Sequence, residues 1–499
     1  MWVSGSGVPP QGLHWVEPTG EPPSSGPGRR RWWWIGAVAV VVVALVAGGM
    51  VWWHSSGSRL AGGAAHDAAH KEPAPIGTPK DRLISFPLDR EPVPAWQLST
   101  ADIGLPDQIP IGEMFAAIGD KAFFVTNRSF TRNHCGPNGE CANTVGTVYA
   151  INTTTGKVVF NLALPGFLAS SDDCFTNGPS TAVCLNPHCP KAGTWCHGLE
   201  RVWVIDLDRG EVTFTSDHPQ IHDLDDDPKP YAIGNLQGET RLVATVKDKG
   251  IYGVGPHAEL TWFLPGSGNI YQANYLEVDD IAPLTLAIQS RNGDGDIDHV
   301  FSVDGKDLTP TPPEGTTLRD AQVYAGGYMY EYVKGPQPGG IVLYDTDGHL
   351  VADIPGATDP QRNVAMPTFT NSGTQVYTAD GKHLSTTHVV GEYYRTIATT
   401  VFTSAILGSG PWKQFDILTG QPGPTCNIDP GPSYVGSDGT TVLWLHSDWD
   451  ADIHAYVATD IATCRTQWEI PSRPGKLLKA GTALIHTDDN TITGLHAPA

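Results

Sequence analysis

The feature that most constrains the fold of this chain is a short motif that recurs along most of its length. Each copy has a strand of alternating apolar residues, an Asp or Asn turn, a glycine and a second strand. The pattern predicts a β-hairpin, because the Asp or Asn side chain bonds turn amides and glycine accepts positive φ. The copies are VYAINTTTGKVVF (148–160), VWVIDLDRGEVTF (202–214), VFSVDGKDL (300–308), IVLYDTDGHLV (341–351), WKQFDILTGQ (412–421), AYVATDIATCRTQW (455–468) and a degenerate GIYGVGPHAELTWF (250–263).

The spacing of the copies matches the blades of a β-propeller. The interval from Tyr149 to Trp203 is 54 residues, and a four-stranded blade needs about 40–50 residues. The interval from Leu343 to Phe415 is longer, at 72 residues, and contains QVYTADGKHL (375–384). We interpret this extra element as an insertion or a damaged blade.

The two ends of the repetitive region predict how the ring closes. The segment TITGLHAPA (491–499) has the pattern of a third blade strand and its turn, without a fourth strand. The segment PVPAWQLS (92–99) has the pattern of a lone fourth strand carrying Trp96. Pairing the two segments would remove a free sheet edge. The sequence therefore predicts an all-β propeller of eight blades, with seven as the alternative.

The turn motif resembles the repeat of the pyrroloquinoline-quinone-type (quinoprotein alcohol dehydrogenase-like) β-propellers. Asp416–Gly420 and Asn152–Gly156 match its D-x-x-T-G turn best, and Asp460–Cys464 has Cys at the glycine position. The resemblance extends over residues 85–499. It implies either a quinone (PQQ)-dependent oxidoreductase or a non-catalytic scaffold. No vicinal Cys pair is present, since the closest cysteines are Cys184 and Cys189, and this argues against the quinone cofactor.

An uncharged apolar run predicts a single transmembrane helix over residues 32–53. Its 22 residues would span about 33 Å, enough for the hydrocarbon core. Tryptophans stand at both ends, as in the aromatic belts of spanning helices, and Arg29–Arg31 precede the run. A signal peptide cleaved near Ala61–Ala65 is the alternative.

The positive-inside bias then orders the rest of the chain. Residues 1–31 are predicted to be a disordered cytoplasmic tail, 54–82 a flexible linker and 83–499 the extracytoplasmic propeller. The protein is therefore expected in the cell membrane as a single-pass, signal-anchored chain.

All eight cysteines lie C-terminal to the predicted helix, and an even number in an exported domain indicates disulfides. Local closure predicts three short-range bonds and leaves one longer bond. The competing interpretation is a zinc site formed by Cys184, His188, Cys189, Cys196 and His197. The predicted pairs are Cys135–Cys141, Cys174–Cys184, Cys189–Cys196 and Cys426–Cys464.

One loop has the composition of a calcium site. Oxygen-bearing side chains alternate through SRNGDGDIDHV (290–300), as in cation-binding loops of some integrin-type propellers. Ser290 stands where those loops usually carry Asp. The alternative is an acidic hairpin tip without a metal. The candidate ligands are Asn292, Asp294, Asp296 and Asp298.

Charge and motifs narrow the function. The formal net charge is −22, and residues 1–53 carry three Arg and two Glu, so the remainder has a charge of −23. Such a domain repels nucleic acid. No nucleophile, zinc-protease or nucleotide-binding motif occurs in a supporting context. We expect a binding or scaffold module for a cell-envelope partner, contacted through loops 130–146 and 170–200. A quinone-dependent oxidoreductase and a calcium- or glycan-binding adhesin are the alternatives.

Overall fold

The structure is a computed structural model of the full chain, in which Glu72–Ala499 form one unit that is separate from Met1–Lys71. All described residues belong to the unit Glu72–Ala499. They are 76–107, 109–126, 145–167, 173–187, 199–224, 229–234, 240–271, 285–290, 297–358, 360–361, 368–370, 374–389, 391, 393–405, 411–448 and 453–499.

The described residues form nine antiparallel sheets, which we number as blades 1 to 9. Seven blades have four strands, and blades 4 and 7 have three. Blade 1 contains β2 (Glu113–Ile118), β3 (Lys121–Thr126), β4 (Val145–Asn152) and β5 (Val158–Pro165). Blade 2 contains β6 (Cys174–Thr176), β7 (Thr181–Pro187), β8 (Leu199–Asp206) and β9 (Glu211–Ser216). Blade 3 contains β10 (Lys229–Gly234), β11 (Thr240–Val246), β12 (Gly250–Val254) and β13 (Leu260–Pro265).

The next blades continue in chain order. Blade 4 contains β14 (Ile270–Tyr271), β15 (Leu286–Gln289) and β16 (His299–Ser302). Blade 5 contains β17 (Thr317–Tyr324), β18 (Gly327–Lys334), β19 (Gln337–Asp345) and β20 (Leu350–Pro355). Blade 6 contains β21 (Pro360–Gln361), β22 (Thr368–Thr370), β23 (Thr374–Tyr377) and β24 (His383–Thr387). Blade 7 contains β25 (Tyr393–Ile397), β26 (Thr400–Ser404) and β27 (Lys413–Asp416).

The last two blades bring the chain ends together. Blade 8 contains β28 (Tyr434–Ser437), β29 (Thr441–Asp448), β30 (Ile453–Asp460) and β31 (Thr466–Pro471). Blade 9 contains β32 (Lys476–Ala480), β33 (Ala483–Thr487), β34 (Thr491–His496) and the N-terminal strand β1 (Val93–Ser99). The helical elements among the described residues are short, namely α1 (Thr100–Ile103) and 3-10 turns at Lys80–Arg82 and Gln220–Asp223.

Nine apolar clusters hold the blades together, one between each blade and the next and one between blades 9 and 1. Alternate residues of a strand enter different clusters, since side chains alternate across a sheet. In β4, Val148 and Ala150 face blade 2, whereas Tyr149 and Ile151 face blade 9. Every blade is therefore covered on both faces, and the nine interfaces close a ring.

The predicted closure is confirmed. Strand β1 pairs antiparallel with β34 in blade 9, with Gln97 opposite Thr493 and Trp96 opposite Gly494. The Trp96 indole covers Gly494 and also lies over Gly156, the turn glycine of blade 1, while its N–H donates to Thr153 O at 3.1 Å. One tryptophan thus joins the closing strand to the first blade of the ring.

The third-to-fourth-strand turns have the geometry predicted from the repeat. Asn152 Oδ1 accepts from the Thr155 amide at 2.8 Å, and Asp416 Oδ1 accepts from the Thr419 amide at 2.9 Å. The residue four positions after the Asp or Asn has a positive φ in each of these turns. The values are +68° at Gly156, +67° at Gly210, +72° at Gly420 and +57° at Cys464.

Aromatic residues on fourth strands lie against the turn glycines of the next blade. A methyl group on Gly210 would come within 2.4 Å of Phe160 Cβ. The same group on Gly305 would come within 2.3 Å of the Trp262 indole. Glycine is therefore required at each of these turn positions for two reasons: the backbone has a positive φ, and a side chain would collide with the aromatic ring of the neighbouring blade.

The predicted number of blades needs correction, because the described residues contain nine sheets where eight, or alternatively seven, were expected. The element QVYTADGKHL (375–384), interpreted as an insertion or a damaged blade, forms β23 and the start of β24 in the four-stranded blade 6. Its turn is stabilised differently, by the Thr378 hydroxyl accepting from the Lys382 amide at 3.2 Å. Because this turn lacks the Asp or Asn of the repeat, the sequence pattern did not identify blade 6 as a complete blade.

Two of the predicted disulfides are confirmed. Cys174–Cys184 joins β6 to β7, and Cys426–Cys464 joins the segment after β27 to the last turn of blade 8. Cys184 is therefore bonded to sulfur, which overturns the zinc alternative at that residue. The predicted pairs Cys135–Cys141 and Cys189–Cys196, with His188 and His197, lie outside the described residues.

The predicted transmembrane helix at 32–53 also lies outside the described residues. Within the part of the chain that the structure describes, no helix is long and apolar enough to cross a membrane. Residues 76–82, the end of the predicted linker, are described and contact the ring, with the Thr78 amide donating to Ala398 O at 3.0 Å.

Replacing Trp96→Ala should destabilise the ring by about 3 kcal/mol, because it removes a large side chain shared by the closing strand and blade 1. Denaturant unfolding of the purified protein measures the effect. Gln97→Ala, on the same strand with an exposed side chain, is the control and should be nearly neutral. Equal losses for the two variants would contradict this account of closure.

The Cys426–Cys464 bond spans 38 residues, so its loss should cost about 4 kcal/mol on the loop-entropy model. Cys464 has a φ of +57°, which glycine tolerates and alanine does not. The double variant Cys426→Ser with Cys464→Gly should therefore be more stable than Cys426→Ser with Cys464→Ala, by about 1 kcal/mol. Thermal unfolding compares the two; a more stable alanine variant would refute the turn geometry.

Candidate binding surface

The strand order divides the ends of the ring into two faces. First-to-second and third-to-fourth turns share one face, which we call the hairpin face; in blade 1, the Thr153 amide of one turn donates to Asp120 O of the other at 2.7 Å. Second-to-third turns and blade-to-blade connections share the opposite face, the loop face. There the Ile111 amide, in the connection from β1 to β2, donates to Asp489 O in the β33–β34 turn at 3.0 Å.

Each of the two regions predicted to contact a partner, 130–146 and 170–200, overlaps a second-to-third-strand connection on the loop face, although 170–200 also includes β6, β7 and the hairpin-face turn between them. Residues 127–144 connect β3 to β4, and residues 188–198 connect β7 to β8. Each connects a second strand to a third strand, in neighbouring blades. The residues inside both segments lie outside the described part of the chain, so their contacts stay predictions.

Arg201 and Asp217 are described at the edge of this region. The Arg201 Nε–H donates to Asp217 Oδ1, and this hydrogen bond lowers the pKa of Asp217 below its usual value. The Arg201 guanidinium lies 5.6 Å from the ring centroid of Trp203, on the same strand. The side chains of Arg201 and Asp217 remain 38% and 63% exposed, so a partner could reach both charges. Sequence reasoning missed this pair, although the register of the predicted hairpin at 202–214, continued past Val202 and Ser216, places the two residues opposite each other.

Of the predicted calcium ligands, Asn292, Asp294 and Asp296 lie outside the described residues. Asp298 is described and is buried between blades 4 and 5. Its Oδ2 accepts from the Ala321 amide at 3.2 Å, and its carbonyl accepts from the Tyr330 hydroxyl at 2.6 Å. These contacts give Asp298 a role in blade packing, and the calcium site stays a prediction.

A second group with metal-ligand chemistry lies on the hairpin face of blade 5. Ligand atoms of Asp345, Asp347 and His349 lie within 4.8 Å of one another. Asp345 Oδ1 accepts from the amides of both other residues at 2.9 Å, and its Oδ2 lies 3.1 Å from His349 Nδ1. Burial acts to raise the pKa of Asp345, but these bonds outweigh it and lower the pKa. The hydrogen bonds of the β19–β20 turn therefore explain why Asp345, Asp347 and His349 lie close together, and no metal ion is needed to explain it.

Another Asp–His pair stabilises the irregular outer edge of blade 4. The ionic contact with His299, with 3.7 Å between His299 Nδ1 and Asp307 Oδ2, is the main cause that lowers the pKa of Asp307 to about 2. The Thr309 amide also donates to Asp307 Oδ1 at 2.9 Å. Blade 4 has no regular fourth strand, and the chain continues into Pro310, Pro312 and Pro313, which cannot donate ladder hydrogen bonds.

Asp307→Asn should change the acid dependence of stability. The folded-state pKa is about 2, below the unfolded value of 3.8, so the carboxylate stabilises the fold above pH 3.8. That contribution is lost as the pH falls from 3.8 to about 2. The Tm difference between wild type and variant should shrink over this range in calorimetry. Asp304→Asn, in the same turn, is the control; a difference that persists at low pH would contradict the assignment.

The chain is similar to several known proteins. An uncharacterized protein of Mycolicibacterium smegmatis (strain MKD8) is 25% identical over 418 residues, which cover 79% of this chain and 81% of that protein. BamB from Moraxella catarrhalis covers 81% of this chain and 100% of its own, at 11% identity and a TM-score of 0.35. A eukaryotic initiation factor covers 76% of this chain and 88% of its own, at 10% identity and a TM-score of 0.38. Both structural likenesses are weak.

A match to a protein-family model, which covers most of the chain, identifies the family. A family model described as a conjugation-associated nine-bladed β-propeller domain matches residues 68–498. Its number of blades equals the number of sheets in the described residues. The chain belongs to the conjugation-associated nine-bladed β-propeller family.

Proposed function

We propose that the chain is a membrane-tethered extracytoplasmic propeller that acts as a binding and scaffold module for a cell-envelope protein of a conjugation apparatus. The observation that carries the proposal is the family match over residues 68–498. A propeller presents a rigid surface for a partner, and the activity resides in its loops rather than in the fold.

Two features support the extracytoplasmic location. Disulfides persist in oxidising compartments, and the chain has two among the described residues, at Cys174–Cys184 and Cys426–Cys464. The apolar run 32–53, preceded by Arg29–Arg31, is suited to a signal anchor that exports the C-terminal propeller. The ring would then face the cell envelope and not the cytoplasmic DNA.

We assign the partner contact to the loop face of blades 1 and 2. The segments 127–144 and 188–198 are anchored there side by side, and the exposed Arg201–Asp217 pair adjoins the second of them. Charged groups at the edge of an interface guide association and help to choose the partner. The quinone-dependent oxidoreductase and the calcium- or glycan-binding adhesin stay alternatives that no described group of residues favours.

Site-specific photo-crosslinking in mating cells tests the proposal. Asp217 on the loop face and Asp208 on the hairpin face belong to the same blade and have side chains 63% and 64% exposed. A photoreactive residue at 217 should capture a single envelope protein of the conjugation apparatus, whereas the same residue at 208 should not.

The crosslink is paired with a functional measurement. Asp217→Lys should lower the frequency of DNA transfer, because it reverses a charge at the proposed contact. Asp208→Lys, the matched control, should leave transfer near the wild-type frequency, since it alters only an exposed ion pair with Lys121. Equal capture from both positions, or unchanged transfer with Asp217→Lys, would contradict the assigned surface.

A further inference from the structure

Residues 76–92, which we call the strap, cross three consecutive blades on the hairpin face before β1 begins. They donate backbone hydrogen bonds to the first-to-second-strand turns of blades 7, 8 and 9. Three different blades are thus linked by one segment that is not part of any sheet. The bonds are Thr78 N–H to Ala398 O (3.0 Å), Ile84 N–H to Ser437 O (2.7 Å) and Ser85 N–H to Thr482 O (2.9 Å).

The strap is also part of the core. Ile84 and Leu88 are buried in the cluster between blades 8 and 9. The Leu88 amide donates to Asp438 Oδ2 at 2.7 Å, and its carbonyl accepts from the Trp468 indole at 2.7 Å. The backbone N–H and C=O of the fully buried Leu88 are therefore both hydrogen-bonded to blade 8, as buried polar groups in native structures generally are.

The first contact of the strap depends on a glycine. Gly77 has a φ of +79°, and a methyl group there would lie 1.9 Å from Ala398 O. The backbone therefore lies directly on the turn of blade 7. The Thr78 side chain adds a second bond to the same blade, from Oγ1 to Thr396 O at 3.0 Å.

We propose that the strap is a tension-bearing junction, which distributes force from the N-terminal tether over blades 7, 8 and 9. The inference rests on the tether in the proposed function. Force applied directly at Val93 would load the β1–β34 pair and open the ring at its closure. Because the strap lies before β1, force reaches Thr78 and Ile84 first. The Cys426–Cys464 disulfide also joins blades 7 and 8 and shares the load.

The geometry suits a module held between a membrane and a partner. The strap lies on the hairpin face, and the proposed partner surface lies on the loop face. Tension between them passes through the ring rather than along the closing strand. Three contacts on three blades must then yield before β1 is loaded.

Single-molecule pulling on the full chain tests the proposal. One handle is attached at Met1, so that the result does not depend on membrane insertion or on a partner. The other is inserted after Gly335, in the exposed β18–β19 turn of the loop face. Gly77→Ala should lower the force at which the ring opens, and Leu88→Asp should lower it further. Gly315→Ala is the matched control, since Gly315 has a φ of +73° but no atom within 4 Å of an added methyl group.

A second pulling geometry separates tension transfer from general stability. With handles at Ala499 and after Gly335, the force does not enter the ring through the strap, so Gly77→Ala should lower the opening force less than it does in the Met1 geometry. An unchanged force in the Met1 geometry would overturn the proposal, and so would an equal loss in both geometries. Neither result bears on whether the loop face binds a conjugation protein.

Discussion

The pairing of β1 with β34 is the constraint on which the rest of the structure depends. Each blade is apolar on both faces, so each needs a neighbour on both sides. A row of nine blades would leave two such faces in water, and closure covers both. Because the last blade takes its fourth strand from the start of the chain, the ring cannot complete itself until its two ends meet. Trp96, the disulfide of blades 7 and 8 and the strap all reinforce this arc of the ring.

Much of this fold can be predicted from sequence, because the same local chemistry is repeated. A turn Asp or Asn, a positive-φ residue and alternating apolar residues are short-range signals, and they placed the hairpins and the closing strand correctly. The number of blades was wrong because blade 6 stabilises its turn with Thr378 instead of an Asp or Asn. A second signal was available and missed in four blades, although not in blade 6: their fourth strands end in Leu164-Pro165, Leu264-Pro265, Ile354-Pro355 and Ile470-Pro471, where proline blocks further edge pairing.

The binding surface was less predictable, for a physical reason. Repeats constrain strands through packing, but the segments between second and third strands are free to vary, and partner recognition depends on them. The pair Arg201–Asp217 forms only when two strand ends meet on the loop face. Residues 76–82 of the strap were predicted to be the end of the linker because residues 54–82 are rich in Gly, Ala, His and Pro, although the contacts of the strap tie it to three blades.

The most direct test of the central claim is a disulfide engineered across the closure. Gln97 and Thr493 are directly opposed in the β1–β34 pair, at the separation that a disulfide requires. The variant Gln97→Cys with Thr493→Cys should oxidise fully and should link the first and last strands, as peptide mapping under non-reducing conditions would show. Gln97→Cys with Thr491→Cys, shifted by two residues on the same strand, should not. An unlinked 97–493 pair, or equal linkage of both pairs, would contradict a ring closed in this register.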